Sequence, residues 1–407
     1  MRQQRGRSVW WLSPLVIVVA WALWQGIDEP RAAAPLASVP PSRPVAGRAA
    51  DATSSGAAAS AASFTASARQ ARQAQRELWQ QRLARAQAAL AAYRESTRYP
   101  YESQPIAAHP DQVYPNRPID EDHALRRPDG KATEGVRLRT SQERVFVQGS
   151  ETVRFTVAVV DENAKPLPLR IVRASARELP APQTAATHAD LPLDFNDEGR
   201  LGDATAGDGV FSVQLQPSTQ GFADLFGQIR VEVFLEFRGQ QGYTYFDILY
   251  TPESPADWQG GVREALEDGS LNFYLKAKVR EAGRYVVTGR VDDADGKPFA
   301  LLTFNEEVAA GAQEFRLPLY GKLVRDGQPT FPLRLRDVDA FLLRQDAFPD
   351  RSLMPRLVGP VHTTRSYPLA SFSQADWSSE ERDRYLGELT RDVDQAKTRV
   401  DELGHGP

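Results

Sequence analysis

The chain has no cysteine, only five histidines and only two methionines among its 407 residues. The absence of cysteine excludes disulfide bonds, thiolate metal sites, cysteine nucleophiles and a cysteine-linked lipid anchor. A basic excess is also missing, because the formal net charge is −4, and this balance disfavours specific nucleic-acid binding. The length still leaves room for two or three domains of ordinary size.

Recognisable catalytic motifs are missing as well. There is no G-x-S-x-G elbow and no phosphate-binding glycine loop that opens a helix. The acid pair Asp292-Asp293 could serve a glycosidase, but adjacent acids on a turn are usually solvated. The sequence therefore favours a protein that is not an enzyme. The histidines fall in loops or tails without metal-ligand spacing: His109, His123, His188, His362 and His405.

One long uncharged run is present near the amino terminus, from Val9 to Ile27. A helix of this length, at about 1.5 Å per residue, roughly matches a ~30 Å hydrocarbon core. Because Arg2, Arg5 and Arg7 precede it, we expect residues 1–8 to be a cytoplasmic tail and residues 9–27 a signal-anchor helix. The rest of the chain would then lie outside the cytoplasm, held to the membrane by this helix. A cleaved signal peptide is the alternative, although the apolar run continues through Trp24.

Composition divides the next hundred residues into three segments. Residues 28–62 are rich in Ala, Pro, Ser and Gly and predict a disordered tether. Residues 63–96 lack glycine and proline and predict an α-helix, with a short apolar seam between Trp79 and Tyr93. Residues 97–134 are rich in proline and tyrosine and predict an extended connector.

The hydrophobic period changes to two after Gly135. Short alternating runs bounded by turn residues predict a mainly β fold with two antiparallel, immunoglobulin-like β-sandwich domains, over residues 135–253 and 254–372. Asp-Gly pairs that begin at Asp208, Asp268, Asp295 and Asp326 predict tight hairpin turns.

The carboxy-terminal segment, residues 373–407, predicts an amphipathic helix. Ser378 and Glu381 resemble a capping box, and Gly404 is a suitable stop. Its apolar stripe requires a partner, which the sequence leaves open between the second sandwich, the Trp79–Tyr93 helix, a second copy and another exported protein. The stripe has spacings of three and four: Leu386, Leu389, Val393, Ala396, Val400 and Leu403.

One glycine-rich segment contains the side chains of a candidate metal site. The residues are Asp194, Asn196, Glu198, Asp203 and Asp208, which together could supply the oxygen ligands that calcium prefers. Thr205 stands where an EF-hand would need its last glutamate, so an EF-hand is excluded. The other interpretation is that these side chains only cap turns. No other cofactor is indicated.

The same segment carries a family resemblance. The string from Glu198 to Ser212 resembles the D-x-G-x-x-G-D-x-x-x-G-D-G-x-Y hairpin of bacterial extracytoplasmic immunoglobulin-like domains of the choice-of-anchor X type. Phe211 replaces the usual tyrosine. The resemblance extends over roughly residues 135–377 and implies an exported sandwich, periplasmic or extracellular, tethered to the inner membrane of a bacterium. It implies no catalytic activity.

Three functions remain compatible with the sequence. The first is a membrane-anchored extracytoplasmic scaffold or adhesion-type binding protein, and the second is a calcium-responsive regulator or sensor. The third is a carbohydrate-binding module, which needs an exposed aromatic platform; we expect Tyr243 and Tyr245 instead to pack along a strand.

Overall fold

The structure is a computed structural model that describes residues 55–126, 132–181 and 184–404. The expected tail at 1–8 and the expected membrane span at 9–27 lie outside the described residues. No helix within the described ranges is long and apolar enough to cross a membrane. Residues Ala71–Pro407 form one compact unit, and this part of the chain is mainly β.

Three α-helices are present in the described residues: α1, Ser55–Ser96; α2, Gly321–Gly327; and α3, Glu380–Gly404. Helix α1 begins earlier than expected, inside the segment interpreted as a tether, because the alanine-rich run 57–62 has high helix propensity. At the start of α3 the Ser379 hydroxyl accepts the Arg382 N–H at 3.1 Å. The cap is therefore Ser379, while Ser378 donates to the Asp383 carboxylate at 2.7 Å.

The strands follow the period-two pattern over most of their length. Their bounds are β1 Ser103–Pro105, β2 Ile119–Arg126, β3 Ala132–Gln142, β4 Phe146–Gln148, β5 Val153–Asp161, β6 Pro166–Leu167, β7 Arg170–Leu179, β8 Leu191–Pro192, β9 Phe211–Leu215, β10 Gly227–Phe237, β11 Gln240–Thr251, β12 Ala256–Glu267, β13 Ser270–Val279, β14 Gly283–Asp292, β15 Pro298–Val308, β16 Gly311–Leu319, β17 Arg334–Leu343, β18 Arg351–Leu353 and β19 Leu357–Thr363.

The first β region consists of two sheets with one shared apolar cluster. One sheet has the order β2-β3-β5-β6 with β9 also paired to β5, and the other has the order β4-β11-β10-β7-β8. The pairing of β4 with β11 is parallel, whereas the other described pairs are antiparallel. Buried side chains from both sheets, among them Phe155 and Val231, pack into one cluster.

The second β region also consists of two sheets around one apolar cluster. A three-stranded sheet, β12-β13-β16, faces a six-stranded sheet, β1-β15-β14-β17-β18 with β19 on β17. The outer strands of the smaller sheet are irregular: β12 shifts register between Trp258 and Val262, and β16 contains Pro318. Each feature removes regular hydrogen-bonding positions from an edge of the sheet.

The Pro/Tyr-rich connector is part of the β structure. Strand β1 adds to the edge of the six-stranded sheet, and β2 belongs to the first β region. The side chain of Arg290, which is 2 % exposed, donates to the Gln112 carbonyl at 3.1 Å and to the Asp339 carboxylate at 2.6 Å. A buried guanidinium therefore holds the connector against β14.

The Asp-Gly pairs do not all form hairpins. Asp268 and Gly269 have φ values of 49° and 70° and join β12 to β13, as this pair predicts. Asp326-Gly327 instead lies at the end of α2. There the Asp326 carboxylate accepts from Arg98 and from the Tyr99 hydroxyl, each at 2.9 Å. The hairpin prediction at Asp326 is wrong because Asp326-Gly327 ends a helix. The contacts of Asp326 with Arg98 and Tyr99 hold that helix end in place.

Helix α3 packs antiparallel along α1. The rings of Tyr93 and Tyr385 have centroids 5.9 Å apart, and Arg382 donates to the Thr97 carbonyl at 3.0 Å. Leu90 and Ala396 are buried. Of the partners considered for the apolar stripe, the Trp79–Tyr93 helix is thus one that α3 contacts.

Candidate functional site

The acidic glycine-rich loop lies between β8 and β9. An isolated β-bridge between Asn196 and Ser212 closes its base, and Phe195 and Asn196 are both buried there. Between these ends, Gly199 and Gly207 adopt φ values of 70° and 75°, a conformation that favours glycine. The segment is therefore a tight loop that is held to the sheet at its base.

Three carboxylates converge in this loop: Asp197, Asp203 and Asp208 each place one oxygen within 4.8 Å of the other two. Asp203 and Asp208 were predicted from the sequence, and Asp197 was not. The prediction assumed that alternate residues share one side of an extended segment. Burial of both Phe195 and Asn196 breaks that alternation, so the residue between the expected ligands points into the cluster.

The remaining predicted ligands lie apart from this group of three carboxylates. Asp194 is exposed, and the Glu198 carboxylate accepts from the Arg200 guanidinium at 2.5 Å. The Asn196 side chain donates to the Ser212 carbonyl at 3.4 Å and accepts the Glu198 N–H at 3.3 Å. These side chains organise the base and rim of the loop.

Backbone N–H groups point at the clustered carboxylates. Asp197 accepts from the N–H groups of Gly207, Asp208 and Gly209 at 2.8, 3.1 and 3.0 Å. Asp203 accepts from the Gly199 N–H at 2.6 Å and the Ser212 hydroxyl at 3.3 Å. These bonds are those of turn-capping carboxylates. The same three residues also offer hard oxygen donors, of which calcium takes about six to eight.

A second feature is a row of aromatic side chains on the outer face of the β10–β11 pair. Phe234 and Tyr243 have ring centroids 5.0 Å apart, and Tyr243 and Tyr245 have centroids 6.1 Å apart. Tyr243 is 45 % exposed and Tyr245 49 % exposed. Both tyrosines are in a strand, as predicted, but about half of each side chain faces solvent.

Charged side chains alternate with this aromatic row. The Arg173 guanidinium lies 4.6 Å from the Phe234 ring, and that of Arg230 lies 4.0 Å from the Tyr245 ring, close enough for cation–π attraction. Arg230 also donates two bonds to Asp247, at 2.8 and 2.7 Å. The face therefore combines flat apolar surface with hydrogen-bonding groups at fixed positions.

Glu232 lies within the same face. Its carboxylate accepts from Arg177 at 3.2 Å and from the Tyr243 hydroxyl at 3.0 Å. The bond from Arg177 holds the pKa of Glu232 below its usual value. Burial, together with the bond to Glu232, raises the pKa of Tyr243. Glu232 is thus a charged acceptor and Tyr243 a neutral donor, which fixes the orientation of the tyrosine ring.

Other titratable groups are engaged in pairs away from this face. His188 lies between Glu178 and Asp224, at 2.9 and 3.1 Å, and the hydrogen bonds to these carboxylates raise its pKa. Burial alone raises the pKa of Glu178, but the bonds from His188 and Thr187 outweigh it and bring that pKa to about 2. The contacts of His188 with Glu178 and Asp224 hold the loop before β8 in place.

The acid pair considered for glycoside hydrolysis is not solvated. The Asp292 carboxylate accepts from Arg336 at 2.6 Å. The Asp293 carboxylate accepts the N–H groups of Asp295 and Lys297 at 3.0 and 2.9 Å. The side chain of Asp292 is 14 % exposed. The expectation of a solvated pair was wrong, because both acids have structural partners and little exposed surface.

No protein-family model and no curated protein matches this chain. Among solved structures, it is similar to a DUF4785 family protein from Legionella pneumophila, with a TM-score of 0.38, 13 % identity, and coverage of 56 % of this chain and 57 % of that one. It also matches native Escherichia coli alpha-2-macroglobulin, with a TM-score of 0.25, 10 % identity, and coverage of 60 % and 18 %. The chain thus spans little more than half of the first protein and under a fifth of the second. Scores of this size identify no family for the chain.

Proposed function

We propose that this protein is a single-pass, membrane-anchored scaffold or adhesion-type binding protein, with its bulk outside the cytoplasm of a bacterium. The observation that carries the binding role is the row of Phe234, Tyr243 and Tyr245, in which both tyrosines are about half exposed. Aromatic side chains are enriched at protein interfaces because they contribute a large apolar area for few rotatable bonds. These three lie outside both apolar cores, so their ordered exposure favours a role in recognition.

The anchor part of the proposal depends on the uncharged run Val9–Ile27 and the arginines before it. A reporter fused after Pro407 is expected to be active only outside the cytoplasm. Activity of that reporter inside the cytoplasm would overturn the proposed topology.

We also propose that each β region is an immunoglobulin-like sandwich, that the first is of the choice-of-anchor X type, and that the second is similar to the accessory β domains that accompany such domains. Two observations support this: each region has two mainly antiparallel sheets with one common apolar cluster, and the loop before β9 carries the quoted hairpin string.

The binding face is tested by photo-crosslinking of the full chain in cells. A photoreactive amino acid replaces Tyr243 or Tyr245, and matched controls carry it at Tyr101 or Tyr114, which are 52 % and 59 % exposed. We expect discrete adducts with an exported protein from the first two positions only. Equal adducts from all four positions, or none from the first two, would refute a specific protein-binding face.

Carbohydrate binding is a second candidate. It is favoured by the exposure of Tyr243 and Tyr245, which lie along the strand as expected but leave about half of each side chain open to solvent. We expect the purified chain to co-sediment with isolated cell-wall glycan, and we expect Tyr243→Ala with Tyr245→Ala to abolish this. Tyr101→Ala is the matched control. If the unmutated chain stays in the supernatant, the glycan role is rejected.

Calcium binding is a third candidate, favoured by the convergence of Asp197, Asp203 and Asp208. A cation that binds only the folded chain raises the melting temperature. We expect millimolar calcium to raise it for the unmutated chain and for Asp194→Asn, but not for Asp203→Asn. An unmutated chain whose melting curve does not respond to calcium would eliminate the site.

A further inference from the structure

The helix pair α1–α3 leaves its apolar seam partly open. Leu90 and Ala396 are 8 % and 3 % exposed, but Leu83, Leu389 and Val393 are only half-buried although they belong to the same apolar stripes. Two helices alone leave a seam accessible from both flanks, whereas four helices close it. The pair therefore has apolar surface left to bury.

One flank of the pair carries additional apolar groups. Leu78 on α1 is 45 % exposed and Tyr385 on α3 is 37 % exposed. Both belong to stripes with spacings of three and four that run beside the seam. We call this flank the Leu78 side. On α1 its members are Leu78, Arg82, Arg85, Ala89 and Ala92; on α3 they are Tyr385, Glu388, Asp392, Gln395, Arg399 and Glu402.

The two stripes of the Leu78 side are oppositely charged. The α1 stripe has two arginines and no acid, a net charge of +2. The α3 stripe has three acids and one arginine, a net charge of −2. Two helix pairs from different copies can meet by this flank. If α1 of one copy lies against α3 of the other, unlike charges meet, whereas α1 against α1 brings like charges together.

We infer that the Leu78 side binds the Leu78 side of a second copy, forming a four-helix bundle. A twofold arrangement uses the same surface on both copies and matches each basic stripe with an acidic one. The antiparallel register within one copy, set by Tyr93 opposite Tyr385, places Arg85 near the level of Asp392. In the bundle, Arg85 of each copy therefore lies near Asp392 of the other. The inference does not depend on the identity of any exported ligand.

The absence of native cysteine allows a direct test in native membranes with the full chain. Two differently tagged copies carry Ala89→Cys and Gln395→Cys, both on the Leu78 side. The control copies carry Gln87→Cys and Thr390→Cys on the opposite flank. With a short thiol-reactive cross-linker, we expect mixed-tag dimers from the first combination only. Equal yields from the two combinations, or none from the first, would overturn the proposal.

Charge reversal provides a second test that keeps the seam intact. One tagged copy carries Arg82→Glu with Arg85→Glu, and the other carries Glu388→Arg with Asp392→Arg. We expect self-association of each variant to weaken about tenfold, and the mixture to regain dimers through complementary charges. Trypsin resistance of α3 shows that each variant keeps its own helix pair. Folded variants that associate as tightly as the unmutated chain, with no preference for mixed dimers, would contradict the inference.

Discussion

The two β regions are built alike around apolar clusters but differ in where they place charge. In the first region, the pinned groups His188 and Asp197 belong to loops at the margin of the core. In the second region, the Arg290 side chain is 2 % exposed and lies between the sheet and the connector. The difference implies that the second region depends on a buried charge whose partners come from distant parts of the sequence.

Replacing Arg290 with alanine should have the largest effect. It leaves the Gln112 carbonyl and the Asp339 carboxylate without their donor. Because the Asp339 side chain is 32 % exposed and can be rehydrated, we expect a loss of roughly 3 kcal/mol, the lower end of the cost of breaking a buried pair. Denaturant unfolding of the full chain checks this, with Arg230→Ala in the first region as the control. That control pair, Arg230 with Asp247, is about a quarter exposed and should contribute about 1 kcal/mol or less. Equal losses in both variants would remove the proposed difference between the regions.

The combination Leu389→Asp with Val393→Asp should detach α3 from α1. Full burial of a leucine contributes about 1.5–3 kcal/mol, and these positions are half-buried, so we expect a local loss of about 2–3 kcal/mol for the pair. Limited proteolysis after Trp377 is the measurement, and Thr398→Asp, at an exposed position outside both the apolar stripe and the Leu78 side, is the control. Cleavage that is no faster in the double variant would show that the stripe contributes nothing to packing.

Asp197→Ala should weaken the first region by about 1–2 kcal/mol, since three backbone N–H groups lose a charged acceptor. Asp194→Ala, at an exposed position in the same loop, should leave stability within about 0.5 kcal/mol. Thermal unfolding without calcium compares the two variants. If they unfold together, Asp197 does not organise the loop.

The smallest effect should be a pH dependence confined to the first region. The pKa of His188 is raised in the folded chain. Its contribution is therefore complete below its usual value near 6.5 and is lost as the pH rises through the raised value. The unmutated chain should lose stability over this interval more steeply than His188→Gln. Parallel stability curves for the two chains across the same range would contradict this assignment.

Much of the β architecture could be predicted from the sequence, because strands that bury one face alternate in hydrophobicity. The runs beginning at Val153, Ile229 and Tyr285 all lie in strands. Strands β1 and β2 both lie in the predicted connector and were missed. Strand β1 is only three residues long and pairs with the distant β15, and near its start β2 has the charged run Asp120-Glu121-Asp122 where an apolar alternation would be needed. No local pattern could show that Arg290 would meet Gln112.

The candidate sites were predicted less completely. Two of the three clustered aspartates were identified. The third, Asp197, points into the cluster because of a local break in alternation that only the folded loop shows. Tyr243 and Tyr245 were assigned to a strand, yet which face of the sheet meets solvent depends on the second sheet. Capping at Ser379 instead of Ser378 is a shift of one residue that the shared Ser-Ser sequence could not resolve.

The irregular outer strands of the three-stranded sheet have a consequence for chains held close together on a surface. Flat open edges would let neighbouring molecules add strands to one another and seed cross-β aggregates. The register shift after Trp258 distorts one edge, and Pro318 removes a donor from the other. Crowded copies could thus meet at this sheet without forming intermolecular strand pairs. Any association between copies would then use other surfaces.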